Sequence, residues 1–221
     1  DVIDGAIQGA QVHGLTLVLI ACCACPEGVS IETEGRYVNP HDAVAKHLGA
    51  APFPCGAGRH VQRQQVLLGA RRVLVAGFGT SGYLAGMLTH GLELHCNHVQ
   101  SLAGIGGPAH GARTLFKLTP QDVVIVLSLG GYTREIIESA AIASQYGAKV
   151  IAITPAGTPL AEQADLVLPL LVRENDYIFK PSTSRYAMLA MVDVLATELA
   201  MANKTQAKGR LRRIKLALDS H

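Results

Sequence analysis

The chain has 221 residues, 49% apolar and 16% charged, with no Trp and a net charge of +2. That length suits one α/β domain plus an extra segment, the apolar fraction suits strands covered on both faces, and the charge is too slight to announce a nucleic-acid-binding surface. The longest apolar run, Leu15 to Cys25, is eleven residues, whereas crossing a bilayer takes roughly 20, so no membrane partner is expected. The opening Asp1-Val2-Ile3-Asp4 carries no basic leader, so export is not expected and the chain is read as cytoplasmic.

Residues 1–65 are rich in Ala, Gly, Cys and His, and Pro26, Pro40, Pro52 and Pro54 interrupt any long helix. An irregular N-terminal segment is expected there. Cys22, Cys23, Cys25, Cys55 and Cys96 are odd in number and poorly spaced for a disulfide framework, which fits free thiols in a reducing compartment. The first three also lack a second ligand pair at zinc-finger spacing.

From about residue 66 to residue 203 the pattern alternates. Short apolar runs predict strands at about 73 to 77, 94 to 99, 123 to 128, 149 to 154 and 165 to 169, with helices at about 80 to 91, 133 to 146 and 181 to 202. Strand, helix, strand repetition implies right-handed crossovers, hence a three-layer α/β sandwich on a five-stranded parallel sheet of the flavodoxin or Rossmann kind. Gly147 suits a left-handed helix cap and Pro181 a first-turn proline. His90, His95, Cys96 and His98 lie close in sequence, but a helix end and alternating strand faces separate them, so no metal is expected. Residues 204–221 form a basic tail: Lys204, Lys208, Arg210, Arg212, Arg213 and Lys215 precede the first acid, Asp219. Such a run is more often solvated than bound to phosphates.

Two turns carry the chemistry. Gly77-Phe78-Gly79-Thr80-Ser81-Gly82 and Ser128-Leu129-Gly130-Gly131-Tyr132-Thr133 each follow an apolar run and precede a helical stretch. Both would sit at the carboxyl edge of one sheet, where helix N-termini aim free N–H groups at an anion. Gly77, Gly79 and Gly82 match a dinucleotide fingerprint, which also needs an acid about 20 residues on to hold ribose. The stretch from Leu94 to Gln121 has no carboxylate, so neither a dinucleotide nor another cofactor is expected. Thr80, Ser81, Ser128 and Thr133 instead suit a smaller phosphate ligand. Three or four hydrogen bonds to a charged group, each about 1.5–3 kcal/mol, reach the roughly 4–8 kcal/mol of millimolar to micromolar binding.

Residues 70 to 200 resemble a SIS (sugar isomerase) domain, whose turns run Gly-x-Gly-x-Ser-Gly and Ser-x-Ser-Gly-x-Thr-x-Glu. Gly77 to Gly82 match the first in full; Ser128, Gly131, Thr133 and Glu135 match the second, with Gly130 where the family has a second serine. The resemblance implies phosphosugar binding by Gly79, Thr80, Ser81, Ser128, Gly130, Gly131, Thr133 and Glu135. The stretches Glu174 to Tyr177, Pro181 to Tyr186 and Arg212 to His221 resemble the end of the MurR/RpiR transcriptional regulators, which join a DNA-binding helix-turn-helix to a SIS domain that senses a sugar phosphate. Ser184 and Arg185 join the candidate site because Arg185 follows Ser182-Thr183-Ser184 at an expected helix start near the pocket, Arg185 holding a ligand oxygen or pairing with Glu174.

Residues 1–65 hold only Arg36, Lys46, Arg59 and Arg63 as Lys or Arg, too few and too scattered for a recognition helix. A truncated or frame-shifted regulator is expected, reaching DNA only through a missing or unrecognised N-terminal domain. The expected partners are a phosphorylated sugar and a second copy, as homodimer or tetramer through helices. The alternative is a phosphosugar isomerase, which needs a base to move a proton between carbons. His110 is the one candidate after the second strand, and Glu135 sits where a helix dipole accounts for it, so sensing is favoured over catalysis.

Overall fold

The computed structural model describes residues 31–33, 36–38, 57–102, 111, 113–170 and 183–219. The chain divides into two units, Asp1–His60 and Val61–His221. In the first, Ile31–Thr33 (β1) pairs antiparallel with Arg36–Val38 (β2), Ile31 opposite Val38 and Thr33 opposite Arg36. This short ladder lies within the proline-rich stretch; the expectation of no recognition helix in residues 1–65 falls mostly outside the described residues.

Helix Ala57–Leu68 (α1) precedes an alternating series: Arg72–Gly77 (β3), Thr80–Glu93 (α2), Val99–Ser101 (β4), Asp122–Leu127 (β5), Arg134–Gln145 (α3), Lys149–Thr154 (β6), Pro159–Glu162 (α4), Leu166–Pro169 (β7), Thr183–Ala202 (α5) and Lys204–Leu218 (α6). The five strands β3 to β7 form one parallel sheet in the order β4-β3-β5-β6-β7. β5 is buried along its whole length, and β3 and β6 at every position but the first. Alternate side chains divide between two cores. Val73, Val75, Ile125, Leu127, Ile151 and Ile153 pack with Leu84 and Leu88 of α2 and Met188 and Leu195 of α5. Leu74, Ala76, Val124, Val126, Val150 and Ala152 pack with Ile136 and Ala140 of α3 and Leu160 of α4. The expected three-layer sandwich follows from this period-two division.

One strand lies elsewhere than the sequence pattern suggests. The run 94–99 is not extended: Leu92 and Cys96 are both buried, and the N–H groups of His95 and Cys96 both reach the Leu92 carbonyl, so the chain keeps turning after α2. The ladder begins only at Val99, opposite Val73. The basic run after residue 203 also differs from a bare tail, being the helix α6. α1 and α4 have no counterpart among the predicted elements. Gly147 caps α3 as expected, at φ 75°, with the Ala148 N–H reaching back to the Ala143 carbonyl. Pro181 lies outside the described residues.

A buried carboxylate ties β3 to β5 at the amino edge. Asp122 accepts hydrogen bonds from Arg71 Nε and Nη2 at 3.0 and 2.6 Å, Arg72 Nη2 at 3.2 Å, and the Thr119 N–H at 2.9 Å. Burial alone would raise its pKa, but the Arg71, Thr119 and Arg72 contacts outweigh burial and hold the carboxyl below the usual carboxylate range. A depressed carboxylate pKa stabilises the fold at neutral pH, and that contribution is lost as pH falls through the folded-state pKa. Asp122→Asn should therefore cost about 2–4 kcal/mol at pH 7, at the lower end of a broken buried pair because Arg71 is half exposed. Urea midpoints measured from pH 7 downward should show the wild-type advantage over the variant shrinking in acid.

Candidate functional site

Within the β3–β5 ladder Gly77 stands opposite Leu127, so the two hydroxyl-bearing turns leave the sheet side by side from its carboxyl edge. α2 then packs on one face and α3 on the other. A crevice opens where adjacent strands send their helices to opposite faces.

The first turn depends on two glycines. A Cβ on Gly77 would collide with the Ser81 backbone carbonyl, so the chain bends back closely on itself. Gly79 takes φ 55° and caps α2 without a side-chain hydrogen bond, and no acid stands in the first turn of that helix. Thr80 and Ser81 open α2, Thr80 partly exposed and Ser81 buried.

The second turn is held from several sides. The Ser128 N–H donates to the Ile153 carbonyl at 3.1 Å, and its Oγ accepts from the Gly131 N–H at 3.0 Å and lies 3.4 Å from Thr133 Oγ1. With Oγ already accepting, the Ser128 hydroxyl hydrogen is left to donate. Gly131 takes φ 76°, and a Cβ there would collide with the Thr158 side chain. Its carbonyl also accepts from the Leu160 N–H at 3.2 Å, anchoring the turn to α4. Gly130 is exposed with ordinary backbone angles, and a Cβ there would meet only the Tyr132 ring, at 4.0 Å. Thr133 caps α3 without a side-chain hydrogen bond, and Glu135 stands in the first turn.

A cavity of about 210 Å³ adjoins the crevice, lined by Gly77, Phe78, Leu102 and Leu115 with Glu135 and Glu138 of α3 at its wall. Of the predicted residues this cavity takes in Glu135; the turn hydroxyls do not line it. A larger depression of about 480 Å³ lies at the opposite, amino edge, around Arg72, Glu93, Asn97 and His98, away from both turns. Ser184 is buried near the start of α5, which packs along α2, and Arg185 is exposed. Glu174, the alternative partner of Arg185, lies outside the described residues, as does His110. Among the described residues no three His, Cys, Asp or Glu side chains converge as metal ligands. Cys96 donates to the Leu67 carbonyl, and burial pushes its thiol up to about 11 against an opposing effect of Arg210.

Two groups escaped the sequence reading. Thr158 shapes the second turn from the next strand-to-helix connection, and Thr154, fully buried at the end of β6, has no hydrogen-bond partner for its hydroxyl among the described residues. The one available signal was a hydroxyl residue at the end of a third apolar run.

Residues 66–198 match the SIS domain family model. The chain belongs to the SIS domain family. It is 42% identical over 97 residues to the HTH-type transcriptional regulator HexR of Escherichia coli (strain K12), a match covering 44% of this chain and 34% of HexR. The matched part thus spans about a third of that regulator's length. The sugar isomerase domain of the RpiR transcription factor from Sphaerobacter thermophilus superposes with a TM-score of 0.63 at 28% identity, covering 72% of this chain and 86% of that one. The Vibrio vulnificus NanR protein, complexed with ManNAc-6P, superposes with a TM-score of 0.63 at 16% identity, covering 75% of this chain and 62% of that one, a likeness of fold. Among the described residues no helix of this SIS domain protein is long and apolar enough to cross a membrane.

The glycines make a graded prediction. Gly131→Ala combines a left-handed backbone with the Thr158 collision and should cost more than about 2 kcal/mol, whereas Gly79→Ala has open space and should cost about 1 kcal/mol. Chemical denaturation of the two variants checks the ranking.

Proposed function

We propose that this chain is the effector-sensing SIS domain of a MurR/RpiR-like transcriptional regulator of carbohydrate metabolism, working in the cytoplasm and binding a phosphorylated sugar in the crevice between the two turns. The observation that carries this reading is the pairing of Gly77 with Leu127, which sets both turns at one switch point of the sheet. The phosphate takes the uncapped α2 N-terminus with Thr80 and Ser81, and hydrogen bonds from Ser128, Thr133 and the amides around Gly130 and Gly131. Glu135 faces the adjoining cavity and accepts from sugar hydroxyls. Ser184 and Arg185 approach from α5. DNA recognition belongs to a helix-turn-helix portion of the kind HexR's name denotes.

The similarity to HexR and the RpiR SIS domain supports a regulator, and NanR's ManNAc-6P supports a phosphosugar as the class of effector. Ligand changes the regulator only through unequal affinity for its two states. An isomerase is supported less, since the stretch Leu94 to Gln121 offers no carboxylate base.

Thermal shift against sugar phosphates, the matching free sugars and NAD tests the reading. Stabilisation by a sugar phosphate alone is expected; stabilisation by NAD alone would overturn it, and turnover of a hexose phosphate would replace sensing with isomerisation. Ser81→Ala together with Ser128→Ala removes two hydrogen bonds to a charged ligand, and affinity should fall at least about 100-fold. Gly130→Ser adds a hydroxyl where the space and backbone permit one, and titration should show affinity for the same ligand rising about tenfold.

A further inference from the structure

α6 is the electrostatic outlier of the SIS unit. Lys204, Lys208, Arg210, Arg212, Arg213 and Lys215 all lie on it with no carboxylate, while residues 61–203 carry ten Lys or Arg and ten Asp or Glu. Its root is anchored: Ala207 is buried, and Arg210 Nη1 donates to the Leu94 carbonyl at 2.7 Å, beside the end of α2. The side of α6 that bears Ala207 and Arg210 therefore faces the rest of the unit.

Four of the other five cations form a row. At about 100° per residue, Lys204, Lys208, Arg212 and Lys215 fall within about 80° of one another and centre roughly a quarter turn from Ala207. All four are exposed, and among the described residues none of them takes part in an ion pair. Their intervals of four, four and three residues carry the row along about 16 Å of helix, one charge every 5–6 Å or so. A helix that meets only water gains from opposite charges at these spacings, and like charges destabilise it. A line of anions removes that repulsion. Duplex DNA offers one, with a phosphate about every 3.4 Å along each strand, close enough for each member of the row to reach its own.

We propose that α6 lies along the phosphate backbone of duplex DNA, its Lys204, Lys208, Arg212 and Lys215 row supplying a sequence-independent contact from the SIS unit itself. The choice of DNA among polyanions rests on the regulator reading above. Base recognition stays with the helix-turn-helix portion, and the row adds affinity and fixes orientation, as phosphate contacts do. A lipid surface fits less well. A helix bound to a bilayer buries its apolar face among the headgroups, and the apolar stripe of α6, Leu211, Ile214 and Leu218, continues the line of Ala207, which at its root turns toward the unit.

Fluorescence anisotropy of the full chain with a random-sequence duplex tests the contact. Affinity should fall with salt at a log–log slope of about −3 to −4, the value for four phosphates. Lys208→Gln should reduce that slope by about 1, whereas Arg213→Gln removes an equal charge from another side of the helix and should leave it unchanged. Lys204→Gln, Lys208→Gln, Arg212→Gln and Lys215→Gln together should abolish duplex binding, with the far-ultraviolet spectrum and the thermal shift by sugar phosphate unchanged. A wild type that does not bind the duplex, or equal losses from Lys208→Gln and Arg213→Gln, would overturn the row. Binding to phosphatidylserine vesicles without binding to the duplex would reject DNA in favour of a lipid surface. The expected slopes without stabilisation by any sugar phosphate would uphold the DNA contact and overturn the effector reading alone.

Discussion

Everything at the candidate site descends from one register. β3 and β5 are neighbours in space though β4 lies between them in sequence, and their ladder runs residue for residue from Arg72 and Asp122 to Gly77 and Leu127. Parallel strands of equal length end together, so the two turns begin level. The crossover from β3 to β4 carries α2 along one face, whereas that from β5 to β6 carries α3 along the other, and the turns diverge around a shared gap. A one-residue slip would invert every side chain of a strand between the two cores. At the amino end the Asp122 cluster adds a second restraint on this register, because its arginines lie on β3's approach and its carboxylate begins β5.

The turns themselves are rigid for different reasons. In the first, close approach is the constraint: Gly77 lies against the Ser81 carbonyl, and a side chain would push the helix start away from the strand. In the second, neighbouring chain supplies the constraint. Ser128 extends the sheet by one hydrogen bond to β6, Gly131 lies against Thr158, and its carbonyl accepts from the Leu160 N–H of α4, so a four-residue helix anchored by the buried Leu160 serves to brace the turn. Preformed donors lower the ordering cost of binding, which is how few hydrogen bonds can yield useful affinity.

Most of the sheet and both turns were legible in the sequence because they rest on local signals. Buried parallel strands read as apolar runs, and a helix entered through Gly and Ser or Thr announces its own start, as at Gly79-Thr80-Ser81 and Gly131-Tyr132-Thr133. The displaced second strand was not legible. Leu94 to Val99 mixes apolar and imidazole side chains in a strand-like way, but the burial of Cys96 against Leu67, 29 residues away, keeps the chain turning, a tertiary contact that periodicity cannot express. Thr158 escaped for the same reason, since its role depends on a glycine in another connection. The helical state of α6 was masked by its charge: a dense basic run reads as solvated, although Leu211, Ile214 and Leu218 keep helical spacing within it.

Charge then apportions the crevice. α2 begins without an acid and without a side-chain cap, so its free N–H groups and dipole act on an anion unopposed, whereas α3 begins with Glu135 two residues beyond its cap. Arg134 offsets that carboxylate only weakly, because its guanidinium is hydrogen-bonded to Glu138 at 2.7 Å. A phosphate shared equally by both helix ends would face the Glu135 carboxylate, and the proposed placement toward α2 lessens that repulsion. Glu135 is then left to the cavity beside Gly77 and Phe78, where it suits a neutral donor such as a hydroxyl. On the proposed reading the two helix starts, alike in sequence, divide the work on one ligand: the acid-free start of α2 takes the charge with help from the second turn, and Glu135 of α3 takes the polyol.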